Sequence, residues 1–270
     1  MIYSKVQLIN DRPDVFLEIF AADKTKDFVR DAILIIPGGG YGTVCSDREG
    51  EPIAMAFMPY GFNAFVLHYS VDEKARFPQP LIEASLAMKY IKDNAEEFGI
   101  DKDRVFVTGF SAGGHLCASL GIMWHLDEIY KAADMEYGYN KPAGMIPVYP
   151  VVSSDPEICH MGSYNNIIGA DADENLRKRY SPELYVDERS VPAFIVHTAA
   201  DNVVNVRNSI RLGDAYAKRH IPFEMHIFAD APHGMSLCNE ITAGGFARFI
   251  NPHNAKWVEL AVEWTRTVGR

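Results

Sequence analysis

Short apolar runs rich in β-branched residues alternate along this chain with stretches whose apolar positions recur every three or four residues. The runs 15–20, 32–36, 63–68, 104–108, 144–151, 192–198 and 223–228 carry the first pattern and are predicted as strands. The segments 51–60, 80–98, 112–123, 206–220 and a last one near 255–267 carry the second and are predicted as helices. In 80–98 the residues Leu81, Ser85, Met88, Ala95 and Phe98 form one stripe; in the last segment Trp257, Leu260, Ala261 and Trp264 do the same. Strands that alternate with helices build a mostly parallel central sheet with helices on both faces, which places the chain in the α/β class. Two stretches, 124–142 and 153–189, break the rhythm. Each follows a predicted structural element at a place where an insertion roofs the carboxyl ends of the strands, where such sheets hold their ligands. The alternative is an ordinary surface excursion. The domain reading is one unit over 1–270 with cap insertions near 124–142 and 153–189.

Composition narrows the function. With 270 residues and 48% hydrophobic content, the chain has enough material for one sizeable core. The net charge of −10 argues against a nucleic-acid or anionic-membrane surface. No basic stretch followed by an apolar run opens the sequence, and no run approaches a membrane span, so a cytoplasmic location without membrane contact is expected. Cys45, Cys117, Cys159 and Cys238 are scattered without a Cys-x-x-Cys pair, and no His-Glu-x-x-His occurs, so neither a metal nor another cofactor is expected.

The chemistry concentrates in Gly109-Phe110-Ser111-Ala112-Gly113, a Gly-x-Ser-x-Gly set between a predicted strand and a predicted helix. That context is required for a nucleophile elbow, in which a sharp turn exposes the serine hydroxyl and the next amide starts a helix. A serine of this kind needs a base, an acid that orients the base, and an oxyanion hole. His233 stands in a Pro/Gly-bounded loop after the strand 223–228, where it can reach Ser111. His226 and His197 lie inside strands, and His115 lies in the first turn after the elbow, where a packing role is expected. Asp201 is the acid in the loop that follows 192–198. It is the first candidate for orienter, although an Asp ahead of a helix also serves as a turn or capping residue. Asp155, one strand earlier, is the rival. The run Pro37-Gly38-Gly39-Gly40-Tyr41 follows a strand, and its backbone amides are unobstructed enough to face an oxyanion. Its spacing does not match a phosphate loop.

Glycine loop, Ser111, Asp201 and His233 fall in the chain order of an α/β-hydrolase. The chain resembles the bacterial esterase and acetylesterase branch of that superfamily, near the acetyl-xylan-esterase-like and hormone-sensitive-lipase-like enzymes. The residues that carry the likeness are Pro37–Tyr41, Gly109–His115, the stretch His197-Thr198-Ala199-Ala200-Asp201-Asn202-Val203-Val204, and Pro232-His233-Gly234-Met235. The resemblance implies a serine esterase with Ser111 as nucleophile, His233 as base and acid, and Asp201 as orienter. The amides of Gly39, Gly40 and Ala112 are implied as the oxyanion hole. It departs at Pro37, where lipase-like relatives often have His, and at Ala200, where many carry a second Asp. The implied substrate is a small-molecule ester with a short acyl group, acetyl first, on an alcohol such as a sugar. A peptidase of the prolyl-oligopeptidase type and a non-catalytic binding module are the alternatives. Tyr130, Tyr137, Tyr139, Tyr149 and Tyr164, in or near the two cap stretches, are expected to offer flat faces to a sugar.

Overall fold

A computed structural model describes residues 1–269. Eight strands form one sheet: β1 (Ile2–Ile9), β2 (Arg12–Ala21), β3 (Arg30–Ile36), β4 (Asn63–His68), β5 (Ile100–Phe110), β6 (Met145–Val148), β7 (Ala193–Thr198) and β8 (Phe223–Phe228). Their spatial order is β1-β2-β4-β3-β5-β6-β7-β8. The β1–β2 and β2–β4 pairs are antiparallel, and every pair from β4 onward is parallel. Among the described residues ten α-helices accompany the sheet: α1 (Ser46–Glu49), α2 (Glu51–Phe57), α3 (Gln79–Asp93), α4 (Ala95–Phe98), α5 (Ala112–Met123), α6 (Asp127–Ala133), α7 (Met161–Ile168), α8 (Glu174–Arg179), α9 (Arg207–Arg219) and α10 (Trp257–Thr265).

The period of two along β3 explains how both faces are covered. Leu34 and Ile36 enter one core, with residues of α3, α5 and α9; Ile33 and Ile35 enter the other, with α2 and α10. Helix α5 is buried along its whole length, so it has no polar face to display. The chain passes from β3 to β4 on one side and then to β5 on the other. The carboxyl ends of β3 and β5 therefore flank a switch point, where this architecture opens a crevice.

The predicted strands and the five long helices are present; besides the unpredicted short helices α1, α6, α7 and α8 and an earlier start of β5, three differences bear on the fold. β1 is an additional edge strand. Its side chains are largely exposed, and its pairing with β2 rather than burial makes it a strand. The helix predicted over 80–98 is two, because Asn94 caps α3 and α4 closes on Gly99 in the left-handed conformation. β6 ends at Val148, short of the predicted 151. No helix among the described residues is long and apolar enough to cross a membrane.

Candidate active site

Ser111 leaves β5 in a conformation that side chains rarely adopt, φ 54° and ψ −114°. Neighbouring bonds hold it there. Its amide donates to the Val148 carbonyl at 3.0 Å, and its carbonyl accepts from the amides of His115 at 3.0 Å and Val151 at 3.1 Å. Gly113 lets α5 start hard against β3, since a Cβ at that position would lie 2.1 Å from the Ile36 carbonyl oxygen.

His233 follows β8 and faces the serine. Ser111 Oγ donates to His233 Nε2 at 2.8 Å, and His233 Nδ1 donates to Asp201 Oδ2 at 2.7 Å. The carboxylate is an acceptor only, which places the ring proton on Nδ1 and leaves Nε2 free to accept. The loop carrying His233 is tied down on both sides. Thr198 Oγ1 donates to the Ala231 carbonyl at 2.7 Å, and Trp257 Nε1 donates to the Ser236 carbonyl at 2.9 Å.

Asp201 accepts four hydrogen bonds. Oδ1 takes the amides of Val203 and Val204, each at 2.9 Å, and Oδ2 takes His233 and, at 3.2 Å, His197 Nε2. Burial alone would raise its pKa. The hydrogen bonds from His197 and His233, together with the His233 charge, outweigh burial and hold the carboxyl well below its ordinary value. Asp155 is elsewhere, paired with Arg211, and makes no contact with His233. His226 pairs with Glu224 on the exposed side of β8.

The glycine loop faces Ser111 with its donors outward. The Gly38 carbonyl accepts from Cys45 N at 3.0 Å, and the Gly39 carbonyl accepts from Gly42 N at 3.0 Å and Thr43 N at 3.1 Å. In a trans peptide the following N–H points the opposite way, so the Gly39 and Gly40 amides turn from the loop interior toward the cleft they line. Neither amide, nor that of Ala112, finds an acceptor among the described residues. Gly39 has φ +128°, and a Cβ there would sit 2.1 Å from the Thr43 carbonyl oxygen. Asn166 of α7 braces the loop, donating to the Gly40 carbonyl at 2.9 Å.

These groups meet at the floor of a cleft of about 410 Å³. The BD-FAE family model matches residues 17–216, most of the chain. The chain belongs to the BD-FAE family.

BD-FAE membership agrees with the architecture, which is that of an α/β-hydrolase. Endo-1,4-beta-xylanase B of Butyrivibrio fibrisolvens is 36% identical over 234 residues, which is 85% of this chain and 36% of that protein. The chain therefore spans about a third of the length of this curated relative. Among solved structures, MGS-M1, an α/β-hydrolase enzyme from a Medee basin deep-sea metagenome library, is 32% identical with a TM-score of 0.80; the match covers 99% of this chain and 97% of that one. The acetyl ester-xyloside bifunctional hydrolase of Caldicellulosiruptor lactoaceticus is 27% identical with a TM-score of 0.81, over 98% and 96% of the two chains.

In this BD-FAE chain the walls of the cleft differ from the sequence-based expectation. The segment 124–142 lies against α3, where Asn140 donates to Ser85 Oγ at 3.0 Å and Tyr139 to Asp93 at 2.8 Å. It adds nothing to the cleft. The segment 153–189 contributes His160, and the wall beyond it comes from the loop after β8, with Ile241, Thr242, Phe246 and Phe249. The five tyrosines do not line it either. Tyr130 and Tyr137 pack on each other, with Tyr137 also on Trp124, and Tyr149 and Tyr164 are fully buried. Tyr149 instead backs His233, the two rings 5.0 Å apart.

Three further polar residues stand at the site. His197, fully buried, is the second histidine that donates to Asp201, and its Nδ1 accepts from Ser209 Oγ at 2.7 Å. His160 caps α7. Its Nδ1 accepts from Ser163 Oγ at 2.9 Å and Ser163 N at 3.3 Å, so its proton sits on Nε2, which has no partner among the described residues. Burial, then the charge of His233, lower the His160 pKa, which keeps the ring neutral. Glu49 is a buried acid at the cleft floor. No helix is predicted after His160, which left it without a sequence signal. Glu49 had none, and His197, which opens the stretch that carries the family likeness, was placed only as a residue inside a strand.

Proposed function

We propose that this protein is a serine carboxylesterase acting on small esters with a short acyl group, acetyl first, carried by a hydroxyl-bearing alcohol such as a sugar. The observation that carries the reading is the continuous Ser111–His233–Asp201 hydrogen-bond chain beside three unpaired amides. Ser111 Oγ attacks the ester carbonyl as its proton passes to His233 Nε2, and Asp201 stabilises the imidazolium. The oxyanion of the tetrahedral intermediate lies among the amides of Gly39, Gly40 and Ala112. The C–O bond to the alcohol breaks, and the alcohol departs with the proton from His233. Water then gives a proton to His233 and attacks the acyl carbon, and Ser111 takes that proton back as the acid leaves.

For the alcohol, the support is a cleft with polar groups on its walls and floor, Asp47, Arg48, His160 and Thr242, beside the aromatic Phe246 and Phe249. The neutral Nε2–H of His160 is a free donor for a substrate hydroxyl or ring oxygen. The acetyl ester-xyloside hydrolase relative supports the same substrate class. The test is a series of aryl esters from acetate to octanoate together with acetylated xylose and glucose. The reading expects a steep fall from acetate to octanoate and deacetylation of at least one sugar. A preference for octanoate removes the short-acyl assignment, and no turnover of any ester removes the esterase assignment.

A further inference from the structure

Glu49 ends the short helix α1 and is 2% exposed, at the floor of the cleft. Both of its oxygens are engaged. Oε2 accepts from the Gly38 amide at 2.8 Å, and Oε1 accepts from the Tyr149 hydroxyl at 2.8 Å. The Tyr149 oxygen in turn accepts from the Ser236 amide at 3.1 Å, three residues beyond His233. A second tie runs the same way, from Ser236 Oγ to the carbonyl of Arg48 at 2.5 Å. One carboxylate thus links the three segments that build the site: the glycine loop, the end of β6, and the loop of the base. A buried acid is costly to desolvate, and here it acts on two site components at once. Its bond to Gly38 N fixes the peptide plane immediately before the two amides that face Ser111. Its charge lies behind the Tyr149 ring, which meets that of His233 edge-on at 5.0 Å.

We infer that Glu49 is a positioning residue that holds the glycine loop with its donors toward the cleft and adds a second negative charge to the field of His233. The inference rests on the esterase reading above. The charged and titratable groups around Glu49 are Arg48 and Asp47 on its own helix, Cys45 before it, Tyr69 after β4, Tyr149 after β6, and His233 after β8. Burial raises the Glu49 pKa, and the bonds from Gly38 and Tyr149 with the charges of Arg48 and His233 offset only part of that rise.

The experiment is steady-state kinetics of Glu49→Gln and Glu49→Asp on an aryl acetate across pH. Glutamine keeps the shape but carries no charge, and its amide end cannot accept. We expect kcat to fall about 10- to 100-fold with KM within threefold, the size of losing part of an oxyanion hole. The acid limb of kcat/KM should move to lower pH, because the imidazolium loses a nearby negative charge. Aspartate keeps the charge but is too short to hold Gly38 N. It should lose kcat with the acid limb unmoved. A kcat within twofold of wild type in either variant overturns the inference, as does a Glu49→Gln acid limb that stays in place. If Glu49→Gln does not fold, Glu49→Asp decides alone through kcat. A wild-type protein that turns over no ester and takes no organophosphate on Ser111 overturns both this inference and the esterase reading. An active wild type with indifferent Glu49 variants overturns this one only.

Discussion

Asp201 and Asp155 look alike as sequence: each follows a strand and precedes helical pattern. Their surroundings separate them, because Asp201 receives four hydrogen bonds and touches His233, whereas Asp155 is spent on Arg211. Asp201→Asn should lower kcat by about 10⁴-fold, because an amide facing His233 Nδ1 disfavours the tautomer that leaves Nε2 free. Asp155→Asn should stay within about threefold, and kinetics of the two variants side by side check this; the reverse order would move the acid to Asp155. His160 makes a separate prediction. His160→Ala should raise KM for an acetylated sugar at least about tenfold while leaving an aryl acetate within threefold, the loss of one hydrogen bond to substrate. Equal effects on both substrates would remove His160 from alcohol recognition. At this scale the motif residues were legible because glycine geometry and the strand-loop order constrain them. Glu49, His197 and His160 were not, since a buried polar residue acquires its meaning from partners distant in sequence, as Glu49 does from Tyr149.

The elements were legible where burial imposes a period. β3 and α5 read directly, because every position of the first from Ala32 and of the second is buried. β1 did not, because its alternation is confined to Val6 and Leu8, which touch the core, while the rest of this edge strand is exposed and held through its register with β2. Of the two segments read as caps, 124–142 docks on α3 through its tyrosine and asparagine side chains, whereas 153–189 reaches the cleft through His160. The loop after β8, which forms the opposite wall, mixes Asn239, Glu240, Thr242, Gly244, Gly245 and Arg248 with apolar residues between 239 and 250 and displays neither a strand nor a helix period. The close contact of α5 with β3 supplies a prediction. Gly113→Ala places a Cβ 2.1 Å from the Ile36 carbonyl and 2.4 Å from that of Pro37. It should cost more than about 2 kcal/mol and lower activity as well, because the same shift displaces the start of the glycine loop. Urea unfolding checks it, and a midpoint equal to wild type would contradict the packing described.

For the whole molecule, buried titratable groups set how stability varies with pH. His115 is fully enclosed, donating to the Tyr180 carbonyl and accepting from Tyr41, and burial pushes its imidazole down to about 4. In the unfolded chain it titrates near 6.5, so between these values the unfolded state binds the extra proton. Its contribution is whole above about 6.5 and is lost as pH falls toward 4, an amount on the order of 3 kcal/mol. Glu183 acts in the opposite sense. Burial raises it from 4.5 to about 7, so its penalty on the fold grows as pH rises through that window. The His115→Gln variant isolates the first effect. It should be less stable at pH 7, yet lose less stability than wild type between pH 6.5 and 4. Denaturant titrations at several pH values check this, and parallel curves for the two proteins would contradict it.

The central claim is that Ser111 is a nucleophile activated by His233. It is tested most directly by treating the folded protein with diethyl p-nitrophenyl phosphate and mapping the adduct by peptide mass spectrometry. The account predicts one diethylphosphoryl group, on Ser111, appearing in step with loss of esterase activity and slowed at least about 100-fold by His233→Ala. Full activity after stoichiometric labelling, or an adduct on a residue other than Ser111, would contradict it.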